Sequence, residues 1–258
     1  MQVYTAGFSG GSLGKNAGCS SAPAAILRKI PNFTAELRPV QIQRQDIAVF
    51  PTDFPATLLS IAQGVHFPCV VLGGDHSITY ATFSAFAAKH PGAALAVLDA
   101  HADLMQPFSV PTHENYLRML IEEGKLLPQN LVLIGVRNWD KEEVAFAKAS
   151  NLRIYTAAEC MDNMQEVCDA AMAYVKDAPA IFISVDIDCA DPAYAPGTGY
   201  PEPGGLSGAQ VLYLVRRLRK LKRFAGADIV EVNPELDKEG RTVQLASSVL
   251  AELAADAP

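Results

Sequence analysis

The feature that most constrains this fold is a regular alternation of short apolar runs with longer amphipathic stretches. The apolar runs are rich in Val, Ile and Leu, and most are continuous rather than alternating with polar residues. Such runs are typical of strands that are covered on both faces, as in a parallel sheet. We predict strands at Gln2–Ala6, Gln45–Phe50, Cys69–Leu72, Ala94–Leu98, Leu131–Val136, Leu152–Thr156, Ala180–Val185 and Ala227–Val232.

Helices are predicted between these strands. Ser207 and Thr242 are predicted N-caps, and Gly124 is a predicted helix stop. Strand–helix alternation implies right-handed crossovers with helices on both faces of one sheet. We therefore expect a single domain over residues 1–258. Its predicted helices are Ala22–Lys29, Ala56–Val65, Ile78–Lys89, Glu114–Glu123, Lys141–Ala149, Met164–Val175, Ser207–Leu221 and Val243–Ala254.

Composition excludes several classes of function. The chain has 28 acidic and 21 basic side chains and a net charge of −7, which disfavours a nucleic-acid partner. The basic run Arg216–Arg223 overlaps a predicted helix and is expected to form its solvated face. No apolar run approaches the ~20 residues of a membrane span, and the N-terminus lacks the pattern of a signal peptide. The five cysteines are scattered without a CxxC pair, which is typical of reduced thiols. We therefore expect a cytoplasmic protein with no membrane and no nucleic-acid partner.

Polar side chains directly follow four of the predicted strands. Because ligands of an open α/β sheet bind beyond the carboxyl ends of its strands, these side chains are expected at one edge. Crowded carboxylates there are costly to hold ionised, and a cation is the simplest resolution. The four segments are Gly73-Gly74-Asp75-His76-Ser77, Asp99-Ala100-His101-Ala102-Asp103, Asp186-Ile187-Asp188 and Glu231 with Asn233-Pro234.

The donor set predicts the kind of metal site. The imidazoles of His76 and His101 suit transition metals, whereas the carboxylates suit hard divalent ions. Four carboxylates with two imidazoles exceed the needs of one open catalytic ion. They fit two ions, typically ~3.5–4 Å apart, that activate a bridging water. Each motif alone is typical of a turn or a helix cap, but their coincidence at four strand ends predicts a metal centre.

The same segments resemble the signatures of the ureohydrolase superfamily, which includes arginase, agmatinase, guanidinobutyrase and formimidoylglutamase. The three signatures lie at residues 73–77, 99–103 and 184–188, and further similarity lies at 134–137, 195–199, 204–206 and 231–234. The resemblance implies a three-layer α/β/α fold with a mostly parallel, roughly eight-stranded sheet. It also implies two Mn²⁺ ions per chain and a closed homo-oligomer, either a trimer or a hexamer.

The resemblance also implies roles for individual residues. A metal-bridging hydroxide would attack the central carbon of a guanidinium or amidine, and Asp103 would pass a proton to the leaving amine. In the metal centre, His76 and Asp103 would hold one ion, His101 and Asp188 would hold the other, and Asp99 and Asp186 would bridge them.

Two residues outside the ligand set complete the expected active site. Glu231 matches the glutamate with which the family binds a guanidinium, a task that suits charge-assisted hydrogen bonds. His113 lies ten positions after Asp103, the spacing of the proton-shuttling histidine of agmatinases. The alternative for His113 is a residue that merely precedes the predicted helix Glu114–Glu123.

The chain departs from the family pattern around the substrate. Glu114 stands where a glycine usually follows the shuttling histidine, and it is placed to meet a cationic tail. Tyr200 replaces a threonine that normally lines the guanidinium pocket, so it either narrows that pocket or turns away. The arginase segment that grips the α-groups of its amino acid is absent, which disfavours L-arginine.

The favoured interpretation is a dinuclear-manganese hydrolase that cleaves a linear C–N bond of a guanidino or amidino compound. Among the subfamilies it is agmatinase-like and would release urea. One alternative is a metal-dependent amide hydrolase of the deacetylase type, against which Glu231 argues because a carboxylate suits a cationic substrate. The other is a non-catalytic metal-binding relative, which Glu114 and Tyr200 favour.

Overall fold

A computed structural model describes residues 1–255 and contains one eight-stranded sheet. Every neighbouring pair of strands is parallel, and the order across the sheet is β2-β1-β3-β8-β7-β4-β5-β6. The predicted mostly parallel, eight-stranded sheet is therefore confirmed. The strands are β1 Gln2–Ala6, β2 Gln43–Asp46, β3 Cys69–Gly73, β4 Ala94–Leu98, β5 Leu131–Val136, β6 Arg153–Thr156, β7 Ile181–Asp186 and β8 Phe224–Val230.

Helices cover both faces of the sheet. One face packs against α1, α6, α7 and α8, and the other against α2, α3, α4 and α5, which gives the expected three layers. Among residues 1–255, none of these helices is both long and apolar enough to cross a membrane. The helices are α1 Ala22–Arg28, α2 Phe54–Gly64, α3 Ile78–Lys89, α4 Tyr116–Glu122, α5 Lys141–Ala149, α6 Ala157–Val175, α7 Gly208–Leu218 and α8 Arg241–Ala254.

Strand β4 shows why the central strands are continuous apolar runs. Ala96 and Leu98 pack into the cluster under α1, α6, α7 and α8, whereas Leu95 and Val97 pack against the opposite layer. All four side chains are fully buried. Successive side chains of a strand point to opposite faces, so a strand covered on both faces needs an apolar residue at every position.

The structure differs from the predicted bounds at an exposed edge strand and at the start of one helix. Strand β2 lies at the edge of the sheet and its four residues are exposed, so no apolar run marks it, and the prediction of Gln45–Phe50 is shifted. Helix α8 begins after Gly240, which adopts left-handed backbone, and Thr242 therefore lies inside the helix rather than at its cap. Ser207 does cap α7, and Gly124 follows α4 with a positive φ.

The proline- and glycine-rich segment 190–205 is held against the end of β5. The Arg137 guanidinium donates hydrogen bonds to the carbonyl oxygens of Asp188 at 2.8 Å and of Glu202 at 2.7 Å. A side chain that gathers several carbonyl groups in this way orders a loop that cannot form a helix or a central strand. The segment brings Tyr200 to the carboxyl edge of the sheet.

All five cysteines lie in the described part of the chain, and they are free and buried: Cys19, Cys69, Cys160, Cys168 and Cys189. Burial, together with the charge of Asp228, raises the pKa of the Cys69 thiol to about 12. A thiol with a raised pKa is a poor nucleophile, so this cysteine acts as a small core side chain.

We predict that truncation in the central strand β7 strongly destabilises the fold. Ile183 is fully buried between the two layers, and replacing it with Ala should lower the free energy of unfolding by about 2–5 kcal/mol. Urea unfolding followed by circular dichroism measures the change. The matched control is Leu59→Ala in α2, where the side chain is 58% exposed and the cost should stay below about 0.5 kcal/mol. Equal costs for both variants would contradict the assigned core.

Candidate metal centre and active site

The polar residues singled out in the sequence meet at the carboxyl edge of four neighbouring strands, β3, β8, β7 and β4. They surround a cavity of about 270 Å³. Because parallel strands all end at the same edge, residues far apart in sequence are brought within contact distance. The predicted site residues that line the cavity are His101, Asp103, His113, Glu114, Asp186, Asp188, Tyr200 and Glu231. His76 and Asp99 lie in contact with this group, almost completely buried.

The first group of potential metal ligands surrounds His76. Its Nδ1 lies 3.2 Å from Asp99 Oδ2, 3.1 Å from Asp103 Oδ2 and 3.1 Å from Asp186 Oδ2. Both the Nδ1 atom and Asp99 Oδ2 are buried and make no hydrogen bond within the described chain. Three carboxylate oxygens around one unsatisfied imidazole nitrogen form a donor set that fits a divalent cation.

The second group surrounds His101. Its Nδ1 lies 3.1 Å from Asp188 Oδ2 and 3.5 Å from Asp99 Oδ1. Asp99 therefore belongs to both groups, with one oxygen directed to each. Asp186 Oδ1 accepts a hydrogen bond of 2.8 Å from the Asp188 amide, which leaves Oδ2 for a ligand. The bridging roles of Asp99 and Asp186 stay predictions.

The electrostatics of the cluster also favour a cation. Burial, together with the negative charge of Asp99, raises the pKa of Asp103 to about 8. Burial and the charge of Asp188 likewise raise the pKa of Asp186 well above the ordinary carboxyl range. Carboxyl groups in this state keep protons near neutral pH unless a cation offsets their charges. A divalent cation would displace those protons, so metal binding and proton release should be linked.

The backbone adopts unusual conformations where the site residues leave their strands. Asp103 and Glu231 have φ angles of 53° and 63°, in the left-handed region that L-residues seldom occupy. The Glu231 amide donates to the Gly74 carbonyl at 2.8 Å. Gly74 must be glycine, because a Cβ there would lie 1.7 Å from the Phe8 carbonyl oxygen. This close packing directs the Glu231 side chain into the site.

Glu231 is a buried carboxylate with charge-assisted hydrogen bonds. Its Oε1 accepts from the His76 amide at 2.7 Å, and its Oε2 accepts from the side-chain amide of Asn16. Burial alone would raise the pKa of Glu231, but the hydrogen bond and positive charge of His113 outweigh burial and lower it. Glu231 is therefore held as an anion inside the cavity wall.

Asn16 is a site residue that sequence reasoning missed. Its Oδ1 accepts a hydrogen bond of 2.6 Å from the Asn233 side chain, which directs its Nδ2 toward Glu231. Asn16 and Glu231 are 215 positions apart, so no local motif could indicate their contact. Of the two asparagines, only Asn233 belongs to a segment that the sequence had singled out.

His113 lines the cavity between two carboxylates. Its Nδ1 lies 3.5 Å from Glu231 Oε1, and its Nε2 lies 3.8 Å from Glu114 Oε1 without a hydrogen bond in residues 1–255. Burial lowers its pKa, but the hydrogen bond to Glu231 and the charge of that residue raise it to about 9. His113 also precedes α4, which begins at Tyr116, so its place before a helix and its place in the cavity coexist.

Tyr200 forms part of the cavity wall and does not turn away from it. Its ring centroid lies 5.3 Å from that of His113, and its hydroxyl lies 3.4 Å from Glu114 Oε1. The Lys15 ammonium group lies 4.7 Å from the Tyr200 ring centroid, within cation–π range. Tyr200 therefore does not turn away from the cavity, and a narrowed guanidinium pocket stays a prediction.

Two further side chains contact the Nε2 atom of His76, and the sequence did not predict these contacts. Tyr116 Oη and Ser184 Oγ lie 2.8 and 2.9 Å from His76 Nε2. These contacts orient the ring so that Nδ1 faces the carboxylates. Ser184 is the first residue of the segment 184–188 that the sequence singled out, and Tyr116 opens α4 close to His113, but the sequence assigned no role to either side chain.

Known proteins share both the sequence pattern and the fold. Guanidinopropionase from Pseudomonas aeruginosa is 36% identical over 187 residues, covering 70% of this chain and 58% of that protein. Proclavaminate amidinohydrolase from Streptomyces clavuligerus is 38% identical over 189 residues, covering 71% of this chain and 60% of that protein. The chain thus spans less than two thirds of the length of these curated relatives.

Solved structures extend the similarity to nearly the whole chain. Formimidoylglutamase from Bacillus subtilis superposes with a TM-score of 0.91 and 28% identity, covering 98% of this chain and 85% of that one. The Streptomyces clavuligerus proclavaminate amidinohydrolase gives a TM-score of 0.89 and 30% identity, covering 98% and 90%. The sequence model of the arginase family matches residues 1–255. The resemblance inferred from the three signatures is therefore confirmed, and the chain belongs to the arginase family.

Proposed function

We propose that this protein is a dinuclear-manganese hydrolase that cleaves a linear C–N bond of a guanidino or amidino compound, in an agmatinase-like reaction that releases urea. The observation that carries the proposal is the location of the anionic Glu231 in the same cavity as the two ligand groups that share Asp99. The names of relatives such as guanidinopropionase and proclavaminate amidinohydrolase refer to substrates of this chemical class. A closed homo-oligomer and a cytoplasmic location remain predictions from the sequence.

The residues present fit a pair of manganese ions. His76 and Asp103 would hold one ion and His101 and Asp188 the other, with Asp99 and Asp186 shared between them. The mixed nitrogen and carboxylate donors, buried and crowded, provide the negative charge that two divalent ions require. When bound, the ions would supply a Lewis acid and an activated water nucleophile near neutral pH.

Glu231 would bind and orient the cationic end of the substrate. Each carboxylate oxygen can accept more than one hydrogen bond, so the contacts with Asn16 and the His76 amide leave acceptor capacity for a guanidinium. Hydrogen bonds between a carboxylate and a planar cation are charge-assisted and hold it in a defined orientation. Asp103 lines the same cavity and would pass a proton to the leaving amine.

The outer part of the cavity would select the substrate tail and exchange protons. Glu114 would meet a cationic tail, and Tyr200 would limit the width of the entrance. His113 would carry protons between solvent and the cavity through its unpaired Nε2 atom. The position of Tyr200 in the cavity wall is also the observation that favours a non-catalytic metal-binding relative, and assays of urea release separate the two candidates.

Metal binding provides the first test. Protein reconstituted with excess Mn²⁺ should approach two ions per chain by elemental analysis. Asp186→Asn should lower the affinity for both ions, because the Asp186 carboxylate would bridge them, whereas His76→Asn should lower mainly the affinity for one ion. The control is Asp140→Asn, which removes a carboxylate from the cavity wall but keeps an N-cap for α5. Folded wild-type protein with almost no bound metal would refute the metal centre.

Substrate binding by Glu231 is tested by Glu231→Gln. The variant should retain its metal but lose about 1.5–3 kcal/mol of a charge-assisted contact, which lowers kcat/KM about tenfold or more. Urea release from agmatine and from a panel of other guanidino compounds measures the change. In metal-free protein, NMR titration should also show the His113 pKa falling below about 9, because the Glu231 charge that raises it is gone. A variant with two ions and undiminished kcat/KM would contradict this role.

Proton transfer by His113 is tested by His113→Asn. If proton transfer limits turnover, kcat should fall about 10²–10⁴-fold while metal content stays unchanged. Added imidazole should restore part of the lost rate. His66→Asn is the control, because that histidine is exposed and lies outside the cavity, and its kcat should equal that of the wild type. Full activity of both histidine variants on the best substrate would exclude the shuttle.

A further inference from the structure

Asp228 is a buried carboxyl group that the proposed reaction does not use. It lies in β8, is fully buried, and does not line the cavity. Its Oδ2 accepts hydrogen bonds of 2.9 Å from the hydroxyls of Thr79 and Thr82. Burial raises the pKa of Asp228, and neutral hydroxyl donors offset that cost only in part. Burial of this carboxyl group is therefore costly, and its presence in β8 calls for a structural or functional explanation.

Ser184 connects Asp228 to the metal centre. The two residues are directly paired across β7 and β8, so their side chains lie on the same face of the sheet. The Ser184 hydroxyl faces the Asp228 carboxyl group, whose Oδ1 is buried and has no other hydrogen-bond partner in the described chain. The Ser184 Oγ also lies 2.9 Å from His76 Nε2. A continuous path of hydrogen-bonding groups therefore runs from Asp228 through Ser184 to the ring of His76.

Metal binding by His76 would determine which groups along this path donate and which accept hydrogen bonds. His76 Nδ1 faces three carboxylate oxygens and must be unprotonated to bind an ion, so Nε2 carries the proton of the neutral ring. The Nε2 hydrogen then faces Tyr116 Oη at 2.8 Å and Ser184 Oγ at 2.9 Å. Where Ser184 accepts this hydrogen, its own hydroxyl hydrogen is free for donation to the Asp228 carboxyl group. The path thus favours the tautomer that presents Nδ1 to the ion.

The same carboxylate also holds the helix that follows His76. Thr79 and Thr82 lie in the first turns of α3, which begins two residues after His76. Asp228 therefore restrains both the ring of this ligand, through Ser184, and the backbone that carries it. Tyr116 is a second polar neighbour of Nε2, at 2.8 Å, and could hold the ring without Ser184.

We propose that Asp228 is a positioning residue for metal binding, which acts through Ser184 to set the tautomer and orientation of His76. Its effect falls on the ion that His76 holds and spares the ion that His101 holds. Groups that hydrogen-bond to a ligating histidine typically change metal affinity about 10–100-fold. The inference rests on the proposed two-ion centre, and its test is designed to fail separately from that centre.

Ser184→Ala and Thr82→Val form a matched pair of variants. Each removes one hydroxyl group from Asp228, but only Ser184 reaches His76. Titration of metal-free protein with Mn²⁺, with free Mn²⁺ followed by electron paramagnetic resonance, measures both affinities. Ser184→Ala and Asp228→Asn should each lower the affinity for one of the two ions about 10–100-fold. This should be the same ion whose affinity His76→Asn lowers. Thr82→Val should bind both ions as the wild type does, and Ser184→Thr, which keeps the hydroxyl, should remain close to it.

A second measurement reports on the ring itself. In protein labelled with ¹⁵N at the histidine rings and loaded with diamagnetic Zn²⁺, the His76 Nε2 proton should exchange slowly with solvent. The His76→Asn variant assigns this resonance. Ser184→Ala should accelerate the exchange, whereas Thr82→Val should not, because its lost hydrogen bond does not involve the ring. A general loss of core stability would accelerate the exchange of this proton in both variants alike.

The outcomes separate the two proposals. Wild-type protein that binds no metal ion would refute the proposed function, whatever the variants do. Wild-type protein that binds two ions, with Ser184→Ala and Asp228→Asn binding both equally tightly, would overturn the positioning role and show that Tyr116 suffices. Equal weakening by Thr82→Val and Ser184→Ala would also overturn it, because Asp228 would then act through the packing of α3 alone.

Discussion

The structure depends above all on the crowding of four aspartates, Asp99, Asp103, Asp186 and Asp188, at one edge of a parallel sheet. Their carboxyl groups are almost fully buried, within contact distance of two imidazoles, and burial with mutual repulsion raises the pKa of Asp103 to about 8. Such a cluster is costly as free anions and is stabilised when a cation supplies the missing positive charge. The parallel sheet imposes this geometry because every strand ends on the same side.

A fifth carboxylate, that of Glu231, lies in the same cavity but has different hydrogen-bond partners from the four aspartates. Glu231 leaves β8 with left-handed backbone and packs where only Gly74 allows the chain to approach. Asn16 and the His76 amide satisfy its oxygens, and the positive charge of His113 lowers its pKa although it is buried. The cavity thus contains two kinds of carboxylate, those that cluster as potential metal ligands and one that is held as an anion by hydrogen bonds and by the charge of His113.

The potential metal ligands and the outer residues of the cavity wall come from different parts of the fold. The ligand groups stand at the ends of central strands, where packing on both faces makes the backbone rigid. Tyr200 and Glu114 belong to loops, and Arg137 orders the segment that carries Tyr200 through hydrogen bonds to carbonyl groups. Loops on a rigid scaffold can change without disturbing its core. Glu114 and Tyr200, the two departures from the family pattern that the sequence predicts, both lie on such loops in the cavity wall.

The sequence by itself determined the central sheet and the ligand cluster, because both leave local signals. Strands buried on both faces are continuous apolar runs, and β4 and β5 were predicted residue for residue, as was the group of polar residues behind β4. Only the tertiary structure revealed the edge strand β2, whose exposed residues need no apolar pattern, and the contacts of Asn16 with Glu231 and of Asp228 with Ser184. Such contacts join residues distant in sequence through strand pairing and loop packing, so their physical cause lies in the folded chain and not in any local run of residues.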